Sequence, residues 1–138
     1  MNQWFIFCVR MAVGAMWLYQ GLWMKVIAGD PEHRAVVDSV GGSLPAGLTL
    51  RIIGLGEGLL GVAVLLGVFH RTLAGVQIVL VIAMNLIGLI FARDAIESPL
   101  GLLIHNSHFL VCVILVGLYG PGALVFQLPA TPFPEAGP

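Results

Sequence analysis

Charge is what this sequence has least of. Only 9% of its 138 residues are Asp, Glu, Lys or Arg, against roughly 25% in a soluble domain. That scarcity excludes an ordinary water-soluble globule. The formal net charge is −1 and there is no basic run, so the electrostatic footprint of a nucleic-acid binder is missing. Cysteine is nearly absent too. Cys8 and Cys112 both lie in apolar runs, and no CxxC occurs. The pattern offers neither a redox motif nor a structural zinc site. No GxGxxG follows a strand, so the chain has no dinucleotide-binding domain of its own. The first apolar run lacks a preceding basic region and a clean small-residue cleavage site, and it reads as a retained span. Ser107 beside His108 is a sequence neighbour rather than an i,i+4 pair, which argues against hydrolase chemistry.

What is present is hydrophobicity: 59% of residues are apolar and the mean hydropathy is +1.01. Four runs are long enough to cross a bilayer, near Trp4–Trp23, Leu48–Phe69, Thr72–Ala92 and Leu100–Tyr119. Trp4, Trp17, Tyr19 and Trp23 mark the first, the outer ones as interfacial anchors. Residues 24–47 read as a polar connection. Within it Asp30-Pro31 is a helix-start signal, and Glu32–Val40 reads as a short amphipathic helix stopped by Gly41-Gly42. His70-Arg71 reads as a tight polar turn, and residues 93–99 as a short connection. Gly120-Pro121-Gly122 ends the last span. The expected fold is all-α, an integral membrane four-helix bundle over residues 1–122 with a Pro-rich irregular tail over 123–138.

The stretch Arg51–Phe69 holds the chain's most pointed question. Glu57 lies about two and a half turns inside it, ringed by Gly54, Gly56, Gly58 and Gly61. A carboxylate at that depth costs about 2.5–3.5 kcal/mol on insertion scales unless paired or protonated. Glycine at such positions lets a neighbouring helix approach closely. Call the side of the 24–47 connection the loop face and the other the terminal face. Counting rise per residue, Glu57 lies roughly 13 Å below the loop face, Asn85 roughly 10 Å, His105 and Asn106 roughly 8 Å, and His108 roughly 12 Å. Gln20 lies one turn in, and Arg51 at the rim. Every span thus sends a polar group to the same half of the membrane, which points to an interior pocket or to interhelical hydrogen bonds that only hold helices together. Arg10 lies roughly 20 Å down. It reads either as an arginine snorkelling to the near headgroups or as an ion-pair partner reaching Glu57.

The four histidines do not suggest a metal. His70 belongs to the terminal face, away from His105, and His33 reads most simply as a surface residue of the amphipathic helix. No metal ligand set is expected. A proton-exchanging His–Glu pair suits the residues better, because histidine titrates near neutral pH. Lys25, Arg34, Arg51 and Arg93 flank the loop face against Arg71 on the other, which points to a cytoplasmic loop face.

Several residues together carry a resemblance. Arg10-x3-Gly14, Gln20-Gly21 and Lys25 in the first span are similar to the pattern of the DoxX-like family of small four-span membrane proteins. Glu57-x3-Gly61, Gly67 and Arg71 resemble its second span, and Gly120-Pro121-Gly122 its ending. Trp17-x3-Gly21-x3-Lys25, Glu32, Gln77, Pro99-x-Gly101 and Asn106 resemble the branch also found fused to short-chain dehydrogenase-like domains. A lysine commonly precedes the asparagine there; His105 stands in its place here. The expected location is a bacterial inner membrane; the resemblance implies, for some relatives, a role as a membrane subunit in quinone-dependent redox reactions. Any reductase would be a separate partner protein; a homo-oligomer is left open.

The leading expectation is a redox-associated subunit that binds a quinone or other lipid-soluble substrate. Glu57, His105 and His108 are its candidate catalytic residues. Arg10, Gln20, Lys25, Arg51, Gln77, Asn85 and Asn106 are its candidate substrate-binding residues. The alternatives are a non-catalytic membrane scaffold or assembly factor, and a small proton-coupled transporter using Glu57.

Overall fold

A computed structural model describes residues 1–126. The element order is α1 (Gln3–Leu18), a π-helical continuation (Tyr19–Ala28), α2 (Pro31–Val40), α3 (Ala46–Leu66), α4 (His70–Phe91), a 3₁₀ turn (Arg93–Ala95) and α5 (Pro99–Tyr119). Four helices are long and apolar enough to span a membrane: Gln3–Ala28, α3, α4 and α5. The short α2 lies between the first two. Both expectations, an all-α four-span bundle and an amphipathic helix after span one, are met.

Local chemistry sets the ends. Asn2 caps α1 by accepting from the Trp4 amide at 2.9 Å. Asp30 caps α2 through the His33 amide at 3.1 Å, with Pro31 in the first turn. Ser98 caps α5 through the Gly101 amide at 3.2 Å, with Pro99 following it. These side chains satisfy amides that a helix start leaves unpaired. At the far end of α3 the chain reverses through Gly67 (φ 73°) and Phe69 (φ 44°), both left-handed. The turn is therefore Gly67-Val68-Phe69, and His70-Arg71 forms the first turn of α4 instead of the connection itself.

The largest boundary correction concerns span one. It runs to Ala28 as a π-helix, so Lys25 belongs to the span and not to a polar connection. Gly29, left-handed at φ 60°, and Asp30-Pro31 end it. Those stop signals, rather than the polarity of Lys25, mark the true boundary.

Packing pairs α1 and its continuation with α3, and α4 with α5; α1 also meets α5, while α3 and α4 scarcely touch. Val13, Trp17, Val64, Ala74, Val81 and Val113 form the buried centre. Large apolar side chains such as Leu59, Ile90 and Leu118 face outward, as a lipid-facing surface requires. The α1–α3 contact is made by glycines about two turns apart on each strand of the pair. A Cβ placed on Gly21 would stand 2.6 Å from the Gly54 carbonyl oxygen, and one on Gly54 would stand 2.5 Å from the Gly21 carbonyl oxygen. A Cβ on Gly61 would stand 3.0 Å from that of Gly14. These are backbone-to-backbone approaches that no side-chain rotation relieves.

The chain after α5 folds back over the terminal face. The Ala123 amide donates to Gln3 O at 3.1 Å and the Phe126 amide to Leu66 O at 3.0 Å. The first residues of the expected tail are therefore packed against the bundle. The reading of an irregular tail over 127–138 lies outside the described residues.

Gly21→Ala and Gly54→Ala should each lower the stability of the purified protein by about 1–3 kcal/mol, through overpacking at this contact. Gly56→Ala, whose added Cβ meets nothing within 4 Å, should be neutral or mildly stabilising. Thermal or SDS-induced unfolding in detergent micelles reads the difference.

Candidate functional site

The close approach of Gly21 and Gly54 brings the next charged residues on each helix together. Lys25 Nζ and Glu57 Oε1 form a hydrogen-bonded ion pair. The two side chains are only 8% and 5% exposed. The pairing follows from the backbone: a Cβ on Gly54 would stand 2.8 Å from Lys25 Cβ, and one on Gly21 2.8 Å from Glu57 Cβ. Glu57 Oε2 is buried without a hydrogen-bond partner among the described residues, as is Gln20 Oε1.

Both members of the pair line a cavity of about 480 Å³, a size within the usual range for small-molecule sites. Its walls come from all four spans. Gln20, Thr49, Asn85, His105 and Asn106 supply polar groups, and Met16, Trp17, Leu50, Ile53, Val81 and Phe109 supply much of the apolar surface. Asn106 Nδ2 donates to Asn85 Oδ1 at 2.6 Å, tying α5 to α4. Trp17 is fixed by donating to Gln77 Oε1 at 2.8 Å and by an edge-on contact with Phe109 at 5.7 Å.

The short helix α2 borders the loop-face end. Glu32, His33, Val36, Val37 and Val40 contribute to the cavity wall, and Glu32 Oε1 accepts from the Glu97 amide at 3.3 Å. His33 Nδ1 lies 2.7 Å from Asp30 Oδ2. That side-chain hydrogen bond, against a smaller desolvation effect, holds the Asp30 carboxyl below its ordinary range.

The structure gathers part of the expected set. Glu57, Lys25, Gln20, Asn85, Asn106 and His105 share the cavity. Four others lie elsewhere. Arg10 does not pair with Glu57. It is 1% exposed at the opposite end of the bundle. Its Nη2 donates to Leu124 O at 2.8 Å and Ala123 O at 3.3 Å, and its guanidinium lies 5.3 Å from the Phe7 ring centre. Lys25, one helix end nearer, takes the glutamate instead. Arg51 is exposed on the outer side of α3 and His108 on the outer side of α5; neither lines the cavity. His108 Nδ1 lies 2.7 Å from Ile104 O of its own helix. His105 and His108 are thus not presented together, although three residues apart. Gln77 is spent on Trp17 and on Leu73 O at 3.0 Å. His33 is half-buried against the cavity, not a plain surface residue. Among the described residues no group of three or more His, Cys, Asp or Glu is placed to hold a metal ion.

Among the residues that escaped the sequence reading as wall or partner groups are Thr49, Trp17, Phe109 and, as the partner of Glu57, Lys25. The apolar run Val26-Ile27-Ala28 after Lys25 was the available signal that the helix continues.

Lys25→Ala should cost about 3–5 kcal/mol by leaving a buried carboxylate unpaired, whereas the volume-matched double variant Lys25→Met/Glu57→Leu should recover most of that loss. Unfolding in micelles measures both. Because the Asp30 carboxyl is depressed in the folded state, its contribution to α2 is present at neutral pH and is lost as pH falls through the folded value. The protection of α2 amides, taken relative to the intrinsic exchange rate at each pH, should therefore fall on acidification below about pH 4, and Asp30→Asn, which keeps a cap, should remove that fall.

No curated protein and no solved structure matches the chain. A family model does match, over residues 14–114 and so over most of the 138-residue chain. With its four apolar spans, this chain belongs to the DoxX-like family.

Proposed function

We propose that this protein is a membrane redox-associated subunit that takes a quinone or another lipid-soluble ring compound into the cavity beside Lys25 and Glu57. One observation carries the reading: a buried ion pair opens onto a cavity whose walls are otherwise mostly apolar. A charged pair in lipid is costly to maintain, and helix packing alone does not call for a hollow beside it. The shape suits a flat, apolar ring bearing oxygen atoms. Trp17, Phe109 and Met16 would receive the ring, and Lys25, Asn106 and Gln20 its oxygens. His105, at the wall and exposed on its other side, would exchange the accompanying proton with the loop face. Electrons would come from a separate partner protein, which the family resemblance also implies.

A scaffold role is favoured by a different observation, the glycine contact between α1 and α3. Such contacts serve helix association as well as any site. The two readings part on ligand binding.

Trp17 offers the readout. With Trp4 and Trp23 changed to Phe, both being exposed, fluorescence should report on Trp17 alone. Titration with a short-chain benzoquinone in micelles should quench it saturably, and Asn106→Leu should weaken binding at least tenfold. Loss of stability in Glu57→Gln with no saturable quenching in either protein would favour the scaffold.

A further inference from the structure

The cavity's unmet hydrogen bonds specify the kind of ligand head it accepts. Glu57 is 5% exposed, and one of its oxygens is bonded to Lys25 while the other has no donor among the described residues. Gln20, on the same wall, carries a second buried acceptor without a donor, its Oε1. An ionised carboxylate can only accept, and a lysine ammonium has three donors, of which Glu57 takes one. The pair therefore offers a donor and a needy acceptor side by side. Buried acceptors without donors are rare and costly.

A carbonyl oxygen meets only half of this requirement. It accepts from Lys25 and leaves Glu57 Oε2 as bare as before. A hydroxyl meets both halves, because it accepts from the ammonium and donates to the carboxylate. The remaining wall groups do not reverse the choice. One N–H of Asn106 Nδ2 goes to Asn85 Oδ1 and the indole N–H of Trp17 to Gln77; the second Asn106 N–H donates to a carbonyl or a hydroxyl alike and so does not discriminate.

We infer that the cavity selects an apolar ring bearing a free hydroxyl, the hydroquinone or another phenol, over the corresponding carbonyl form, with Glu57 Oε2 as the acceptor that discriminates. This inference rests on the proposed ring-binding role and adds which form of the ring the cavity binds more tightly. Only binding is claimed; no bond is made or broken.

Three probes of nearly one shape test it: a short-chain benzoquinone, its hydroquinone and the dimethyl ether of that hydroquinone. Each is titrated anaerobically into the full-length protein in micelles, with Trp17 fluorescence as readout. The hydroquinone should bind at least tenfold more tightly than the other two. The double variant Lys25→Met/Glu57→Leu, volume-matched and free of buried charge, should bind hydroquinone and dimethyl ether equally. Equal or tighter binding of the quinone or of the ether by the unsubstituted protein would overturn the selectivity and leave the ring-binding role standing. A preference that survives in the double variant would also overturn it, since Glu57 would not be its source. Saturable binding of none of the three would remove both.

Discussion

A single ion pair between two helices, held away from water, organises this molecule. Lys25 and Glu57 are each expensive in hydrocarbon alone. Together they hold only if the helices that carry them stay close and in register. Glycine at positions 14, 21, 54 and 61 meets that condition. Widening the contact by one methyl group would push the backbones apart where the charges meet. Ion pair and glycine contact are thus one constraint seen from two sides. The pair does not demand a cavity. The cavity exists because α4 and α5 pack on each other and reach the first pair mainly through α1, leaving α3 and α4 apart.

The two ends of the bundle consequently differ. Toward the loop face the helices leave a half-open hollow, bordered by α2. Toward the terminal face they are stitched. Arg10 donates to the carbonyls of Ala123 and Leu124, and the returning chain hydrogen-bonds to both Gln3 and Leu66. A guanidinium suits this task, since one of its nitrogens, Nη2, meets two carbonyls arriving from one direction. Charge at this end closes the protein; charge at the other end lines a hollow. Both arginine and lysine sit on the first span, and the separation between them divides its structural from its candidate binding half.

Much of this was legible in the chain. Four apolar runs, Asp30-Pro31 and Gly120-Pro121-Gly122 carry their boundaries in residue type, because caps and breakers act locally. The shared depth of Glu57, Asn85, His105 and Asn106 was also legible, since rise per residue is nearly invariant. Depth, however, says nothing about rotation around a helix. His108 and Arg51 have suitable depth and the wrong azimuth, and azimuth is fixed by packing against neighbours. The role of Arg10 is illegible for a related reason: its carbonyl partners come from the far end of the chain, over a hundred residues away. The π-helical stretch from Tyr19 to Ala28 has no signature of its own. It hid Lys25 in what looked like a loop because a polar residue near a span's end is ordinarily a boundary.

The order of the spans bears on how the protein reaches the membrane. Lys25 and Glu57 lie on successive transmembrane segments, separated by a short interfacial helix and two brief links. Lys25 and Glu57 can therefore enter as a paired helical hairpin, neither of the two crossing the hydrocarbon alone, while Arg10 on the same first span meets its carbonyl partners only after the last helix. The late pair, α4 and α5, contains no Asp, Glu or Lys, and its one arginine, Arg71, lies in the opening turn of α4. The buried ion pair thus belongs to the first hairpin of the fold, whereas α4 and α5 meet through apolar packing and the Asn106–Asn85 hydrogen bond.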